Sequence, residues 1–376
     1  MAFLPKMSND LLYQIALTLV PGVGSITAKK LIAYCGSAQA ALKSDKLQLQ
    51  KVPDVGQVTA QSISTSDALM HAEEEMEFME KNNIRALFYL DKNYPERLRN
   101  CEDSPIVLYV KGNTDLNQQK IISVVGTRQA TVRGVQHCEN LMRDFSESGY
   151  KPLVISGLAF GIDVAAHKAA LKYGLPTVAA LGHGLQKVYP PEHSGIANEM
   201  LQAGGALLTD FTSQHKMDPA NFVRRNRIIA GMADCTIVVE SAEQGGSLIT
   251  ANLAFDYARD VMAYPGRVGD KISAGCLKLI KTNKAALIEG AADVAYNLGW
   301  DIPKKQGKQL PLFTAPLSLD EQKLVDLLSG VESESIDIIC RNTGLSMPTA
   351  SASLLNLEFN GLIKTLPGKR YMLLKK

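Results

Sequence analysis

Apolar residues fall into a short rhythm through the middle of the chain, with runs at 121 to 125, 153 to 156, 176 to 181, 206 to 209, 235 to 240 and 261 to 264, each bounded by glycine or polar residues. Between them lie stretches of helical periodicity, among them 131 to 148, 162 to 173 and an apolar helix opening near Leu248. Strand-length runs alternating with helical patterns predict βαβ units and a parallel sheet. Two further runs, 86 to 90 and 106 to 110, flank the turn Asn93-Tyr94-Pro95 and predict an extension attached to that sheet. Upstream, 10 to 66 reads as small helices, and 67 to 82 as an acidic amphipathic helix with a solvated charged face.

The outer segments carry patterns of their own. Val20-Pro21-Gly22-Val23-Gly24 and Val52-Pro53-Asp54-Val55-Gly56 are two copies of one turn between helices, similar to the helix-hairpin-helix motif. Only Lys29 and Lys30 lie in the helix that follows the first copy and no Lys or Arg in the helix that follows the second, so phosphate binding and a plain protein-interaction bundle both stay open. Residues 301 to 318, rich in Pro, Lys and Gln without periodicity, read as a linker. The last stretch reads helix (319 to 328), helix (336 to 343), a Gly344-Leu345-Ser346 turn, helix (348 to 360) and a hairpin around Pro367-Gly368-Lys369, the order of a winged helix-turn-helix. Its recognition-position helix presents Thr349, Ser351, Ser353 and Asn356, while Lys364, Lys369, Arg370, Lys375 and Lys376 follow Gly361. DNA contact and protein docking are both compatible with that pattern.

The fold class is therefore α/β: a central, extended Rossmann-like, doubly wound parallel sheet over 84–300, a small all-α helix-hairpin-helix or SAM-like domain over 1–75, a linker over 301–318 and a winged helix over 319–376. Every strand of the central region ends in glycine or a polar residue: Gly126-Thr127-Arg128, Ser156-Gly157, Gly182-His183-Gly184, Asp210, Gly245-Gly246-Ser247 and Pro265-Gly266. In an open parallel sheet these ends share one edge, where ligands bind. The Gly245-Gly246-Ser247 turn opens a helix, so its free N–H groups and the helix dipole suit an anion, most simply a phosphate. Arg224, Arg225 and Arg227 approach the same edge, and guanidinium forks match phosphate oxygens. Arg128 follows a buried strand at that edge, where a charge needs a partner, and Phe222 offers a stacking surface.

Composition narrows the picture. The 376 residues, 46% of them apolar, suffice for two or three domains with real cores. A formal charge of +2 gives no global basic field, so nucleic-acid binding must come from local clustering. No apolar run approaches a membrane span and no signal-like segment opens the chain, which predicts a cytoplasmic protein with no membrane partner. The six cysteines are scattered without CxxC, as reduced packing residues rather than disulfides or a zinc site. GxGxxG, HExxH, Walker A and GxSxG are all absent, so no cofactor is expected, and His137, His167 and His183 read as core or surface histidines.

Together, Val125-Gly126-Thr127-Arg128, the run Ser156 to Asp163 (SGLAFGID), Ala180-Leu181-Gly182-His183-Gly184 with Tyr189-Pro190, the run Phe222 to Gly231 (FVRRNRIIAG) and Gly246-Ser247-Leu248-Ile249-Thr250-Ala251 resemble the DNA-processing protein A (DprA/Smf) family. The resemblance covers about 105 to 300, and the terminal segments match accessory domains of many members. It implies a non-enzymatic, single-stranded DNA-binding recombination mediator that protects incoming strands, dimerises through the central domain and loads the RecA recombinase during natural transformation. It also implies that Arg128 meets a DNA phosphate, that Phe222, Asn226 and Arg227 lie at the pocket, and that the Ser156-Gly157 and Gly246-Ser247 turns supply backbone donors; Gly161 belongs to the same motif set. Val223, Gln186 and His193 stand where the family usually has Pro, Asp and Asn.

Other readings weigh against these. Arg224 and Arg225 also fit structural ion pairs, Asp163 and Asp210 helix caps, and Phe222 the core. The Gly-Gly-Ser turn also resembles nucleotide-processing phosphoribohydrolases, but those place a Glu where this chain runs Ala251-Asn252-Leu253, so general acid–base chemistry lacks its carboxylate there. A pure docking scaffold would leave the clustering of glycine and arginine at one sheet edge unexplained.

Overall fold

The computed structural model describes residues 9–300, 317–331, 333–366 and 369–374, which divide into two compact units, 1–303 and 304–376. Most of the expected linker, and the hairpin tip Pro367-Gly368, lie outside the described residues.

The first unit opens with α1 (Asn9–Leu19), α2 (Ser25–Cys35), α3 (Ala38–Lys43), α4 (Lys46–Leu49), α5 (Gln57–Thr65) and α6 (Ala68–Lys81). The two repeated turns set the starts of α2 and α5, with Gly24 and Gly56 in extended backbone immediately before each helix. β1 (Ile84–Phe88), α7 (Glu96–Arg99) and β2 (Val107–Gly112) follow. Ile15, Leu17 and Leu31 of the helices bury against Ile84, Phe88, Ile106 and Tyr109 of this antiparallel extension, so helices and extension share one core. Polar contacts reinforce the join. The Lys29 ammonium donates to the carbonyls of Cys101 (3.2 Å) and Glu102 (2.8 Å) and to Ser104 Oγ (2.6 Å), and burial lowers its pKa.

The remaining elements alternate as the apolar pattern requires: β3 (Ile121–Val125), α8 (Val132–Glu147), β4 (Leu153–Ser156), α9 (Ile162–Lys172), β5 (Thr177–Ala180), α10 (Ser194–Gln202), β6 (Ala206–Thr209), α11 (Pro219–Met232), β7 (Cys235–Val238), α12 (Ser247–Asp256), β8 (Asp260–Ala263), α13 (Ala274–Lys281), β9 (Ala286–Leu287) and α14 (Ala291–Asn297). Among the described residues they form a nine-stranded sheet in the order β1-β2-β6-β5-β4-β3-β7-β8-β9, parallel from β6 to β9, with β2 and β1 added antiparallel at one side. Successive residues of β3 serve opposite faces. Ile121 and Val125 pack with Ile228, Ile229, Ala251 and Leu279, whereas Ile122 and Val124 pack with Leu141, Phe145, Ala166 and Val294. The chain thus winds outward from β3 through β4, β5 and β6, then returns to lay β7 on the other side of β3. That reversal makes the carboxyl ends of β3 and β7 the topological switch point.

At the opposite end of the same two strands, Arg97 grips Asp234 through Nε (2.6 Å) and Nη2 (3.1 Å) and donates to the carbonyls of Gln118 and Gln119. Asp234 in turn accepts the Ile121 amide at 2.9 Å, fixing where β3 and β7 begin.

The second unit contains α15 (Leu319–Ser329), β10 (Glu334–Ser335), α16 (Ile336–Thr343), α17 (Met347–Phe359), β11 (Ile363–Leu366) and β12 (Arg370–Leu373). Ser318 and Glu321 form a reciprocal capping box at the start of α15, Gly344 ends α16 at φ 71°, and Ser346 caps α17. Leu324, Ile339, Leu354 and Ile363 centre its own core beneath a three-stranded sheet, the winged-helix arrangement. Among the described residues, no helix is long and apolar enough to cross a membrane, and no cluster of three or more His, Cys, Asp or Glu could hold a metal. All six cysteines are free.

His167, on α9, is wholly buried; Nδ1 pairs with Thr177 Oγ1 at 2.7 Å and Nε2 has no partner among the described residues. Burial, aided by the charges of Arg225 and His193, pushes its pKa down to about 3. Between the ordinary histidine value and that figure the unfolded chain binds a proton that the fold refuses, so stability falls as pH falls. The fold should therefore lose roughly 1 kcal/mol on this account between pH 7 and 5.5, from about 1.4 kcal/mol per unit below the free value. His167→Asn should show a correspondingly shallower pH dependence of its urea midpoint; equal slopes would contradict the assignment.

Candidate functional site

Three loops meet at the switch point: Gly126 to Thr131 after β3, Gly157 to Gly161 after β4, and Val239 to Gly246 after β7. Glu240, buried at the end of β7, holds the first of them. Its carbonyl accepts the Thr127 amide at 2.8 Å, and its carboxylate accepts the Thr131 amide at 2.9 Å and the Thr131 hydroxyl. Thr131 Oγ1 in turn caps α8 by accepting the Gly134 amide at 3.1 Å. The Thr127 carbonyl accepts the Ile162 amide at 3.1 Å, bringing in the second loop. Gly161 makes that approach possible. Its φ is +78°, and a Cβ there would lie 2.2 Å from the Thr127 carbonyl oxygen and 2.7 Å from that of Arg128.

Between these loops and α11 lies a cleft of about 370 Å³. Arg128 is exposed at its edge, and its guanidinium makes no hydrogen bond or ion pair with the described residues. Across from it, the Leu248 and Ile249 amides turn back onto the carbonyls of Gly245 and Gly246, at 3.0 and 3.2 Å, and no described group accepts from the amides of Gly246 and Ser247. The Ser247 hydroxyl is used internally, donating to Ser241 Oγ at 2.8 Å. The cleft thus presents a guanidinium and a bare helix N-terminus, a pairing suited to an anion. Phe222 and Asn226 form the wall contributed by α11, with Phe222 tilted 49° against Tyr189 at a centroid distance of 5.7 Å.

The arginines of α11 separate by helix phase, since consecutive residues turn about 100°. Arg225 points into the protein, where Nη1 donates to the carbonyls of Gly157 (2.7 Å) and Ala180 and Nε to Asn226 Oδ1 (3.2 Å). Burial lowers its pKa to about 10, with Asp163 opposing and Arg128 reinforcing the shift, so it remains a cation at neutral pH. Gly157 gives it room, because a Cβ there would sit 2.3 Å from Nη1. Arg227 lies on the far face, pairing with Asp210 at 2.5 Å, with the Asp103 carbonyl and with Ser25 Oγ at 3.3 Å. Arg224 is exposed and sits over the Phe211 ring at 5.3 Å, beside the recess that holds Arg227. Of the expected site residues, Gly126, Thr127, Arg128, Phe222, Arg225, Asn226, Gly245, Gly246 and Ser247 line the cleft. Ser156 and Gly157 lie behind it, Ser156 donating to the Val124 carbonyl at 2.6 Å.

Glu240 is the important residue that sequence reasoning missed; its signal was a lone carboxylate closing an apolar run at the ligand edge. Asp163 is buried, which raises its pKa against the opposing charge of Arg225, and it accepts the Ala159 amide at 3.4 Å. His183 ties a loop together, pairing through Nδ1 with the Gly184 carbonyl and accepting the Tyr189 amide at Nε2. The first hairpin turns its helix start onto the sheet unit through Ser25 and Lys29. In the winged unit, α17 carries no Lys or Arg and exposes Met347, Leu355 and Phe359.

Residues 85–299 match the family model of DNA recombination-mediator protein A, and residues 309–369 that of the DprA winged helix domain. The chain is similar to Protein Smf of Synechocystis sp., at 29% identity over 97% of this chain and 99% of the relative. It is also similar to Protein Smf of Escherichia coli K12, at 34% identity over 73% and 74% respectively. Among solved structures, it is similar to DNA processing protein A from Streptococcus pneumoniae, with a TM-score of 0.65 and 28% identity over 77% of this chain and 98% of that one. DNA processing protein A from Helicobacter pylori, a protein with a single-stranded DNA binding mode of its own, superposes with a TM-score of 0.52 and 25% identity over 58% and 97%.

The partition of arginines has a measurable consequence. Arg225→Ala would leave two buried carbonyls unpaired and Asp163 without its nearby cation, and should cost about 2–4 kcal/mol of stability. Arg128→Ala, with nothing to release, should stay within about 0.5 kcal/mol of the parent. Denaturant midpoints measured side by side test this, and equal losses would refute the division.

Proposed function

The chain belongs to the DNA recombination-mediator protein A family, and on that footing we propose that it is a non-catalytic mediator whose switch-point cleft holds the backbone of single-stranded DNA. The observation that carries this reading is Arg128, a cation at the mouth of the cleft with no partner among the described residues, facing the bare amides of Gly246 and Ser247. Guanidinium and amide donors bind phosphate without regard to sequence, and Phe222 adds a stacking face beside them. The single-stranded DNA binding mode of the Helicobacter pylori relative supports the same ligand. Asn226 and the Gly126 backbone complete the contact set, while the Thr127 and Gly245 amides are already taken by the carbonyls of Glu240 and Ala242 and shape the loops instead. Ser156, Gly157, Gly161 and Arg225 build and brace the cleft, and Arg224 and Arg227 stand outside it. Asp163, the buried carboxylate of the cleft, accepts a backbone amide beside Arg225 and serves the fold rather than a hydrolytic step.

On this reading the protein protects incoming single strands in the cytoplasm, acts as a homodimer through its central domain and loads RecA during natural transformation or recombination. The apolar exposed face of α17, which lacks any cation, favours protein docking over DNA contact for the winged unit.

A salt titration of binding to poly-dT, with a duplex of equal length as control, tests the cleft. The single strand should be preferred, with a log–log slope of roughly −2 to −3.5, about three to five phosphates at 0.7 each, and Arg128→Ala should weaken binding and flatten the slope by about 0.7. Unchanged affinity and slope in the folded variant would remove the cleft from consideration.

A further inference from the structure

Arg128 also forms the near end of a second groove, of about 600 Å³, on the other side of the Gly161 loop. Its floor is apolar, formed by Val164, Ala165 and Ala169 along one face of α9. Phe160 and Lys168 stand at its sides. Phe160 is 45% exposed, and its ring meets the buried His193 imidazole edge-on, with centroids 4.8 Å apart and planes at 67°. His193 is itself fixed by the Leu158 carbonyl at 2.8 Å from Nδ1. The aromatic ring is therefore anchored from beneath while much of its surface faces water.

The charges of the groove are unevenly engaged. Lys172, one helical turn beyond Lys168, pairs with the Glu139 carboxylate and lies 5.3 Å from the centre of the Tyr173 ring. Lys168 is exposed and forms no hydrogen bond or ion pair with the described residues. Once Glu139 is neutralised by Lys172, the groove retains two uncommitted cations, Arg128 and Lys168, among its described residues, with an anchored aromatic ring and an apolar floor. That is the composition of a track for an alternating chain of phosphates and bases.

We propose that single-stranded DNA leaves the switch-point cleft over Arg128 and continues into this groove, where Phe160 stacks a base and Lys168 receives a phosphate. The inference rests on the cleft reading above, because Arg128 is the shared phosphate contact that joins the two segments. It makes the protein's footprint on the strand longer than the cleft alone provides.

Fluorescence anisotropy with oligo-dT of about 4 and about 16 nucleotides, a range of single-strand site sizes, separates the two segments. The full-length protein and its Phe160→Ala, Lys168→Ala, Phe160→Trp and Arg128→Ala variants are compared. Phe160→Ala should weaken the long oligonucleotide roughly 5- to 100-fold, the loss expected for one stacked base, and leave the short one unchanged, while Phe160→Trp restores the long one. Lys168→Ala should flatten the salt slope for the long oligonucleotide by about 0.7 and leave the short one alone. Arg128→Ala should weaken both. If Phe160→Ala and Lys168→Ala bind both lengths like the parent while Arg128→Ala loses both, the groove lies off the track and the inference falls with the cleft intact. Equal weakening of both lengths by Phe160→Ala would also overturn it, marking the ring as support for the shared loop. If Arg128→Ala loses neither length, the cleft reading fails first and takes the groove with it.

Discussion

Two strands separated by more than a hundred residues of sequence lie side by side, with Val125 opposite Val238, and every loop of the cleft takes its position from that pairing. Arg97 and Asp234 set the beginning of the pair and Glu240 gathers the loops at its end. A carboxylate buried at this point needs its charge answered by hydrogen bonds, and it finds them on the amide and hydroxyl of Thr131. What results is a cleft whose shape belongs to the backbone. Loop positions are held by main-chain donors and by glycines that admit close approach, and the exposed Arg128 side chain takes no part in holding the frame.

Much of this was readable beforehand. The central strands announced themselves because a sheet covered on both faces needs continuous apolar runs, and the glycines after them marked the ligand edge. The winged unit was equally plain, since Ser318, Gly344 and Ser346 punctuate its helices where capping chemistry demands. The two-residue β9 and the helices α10, α13 and α14 were not foreseen; elements that short carry little periodicity of their own and take their form from the sheet they complete.

The arginines show where sequence reading stops. Arg224, Arg225 and Arg227 look like one basic cluster in a string of letters, yet a helix sends three residues so spaced toward an aromatic ring, the protein interior and the N-terminal helices. Phase against the sheet decides this, and phase is fixed by Ile228, Ile229 and Met232 packing below. The first hairpin was ambiguous for a related reason. Lys29 is basic enough to suggest phosphate, but three oxygens of the sheet unit already receive its ammonium.

The shared core between the N-terminal helices and the antiparallel extension bears on how freely such modules can be exchanged through evolution. A cut made where helical periodicity gives way to strands would strip the cover from Phe88, Ile106 and Tyr109 and deprive Arg227 of its Ser25 contact. A lineage that discards or swaps its leading helices must therefore remodel the flank of the sheet in the same step. The covalent boundary and the heritable boundary of this domain fall in different places, and the second is drawn by buried surface.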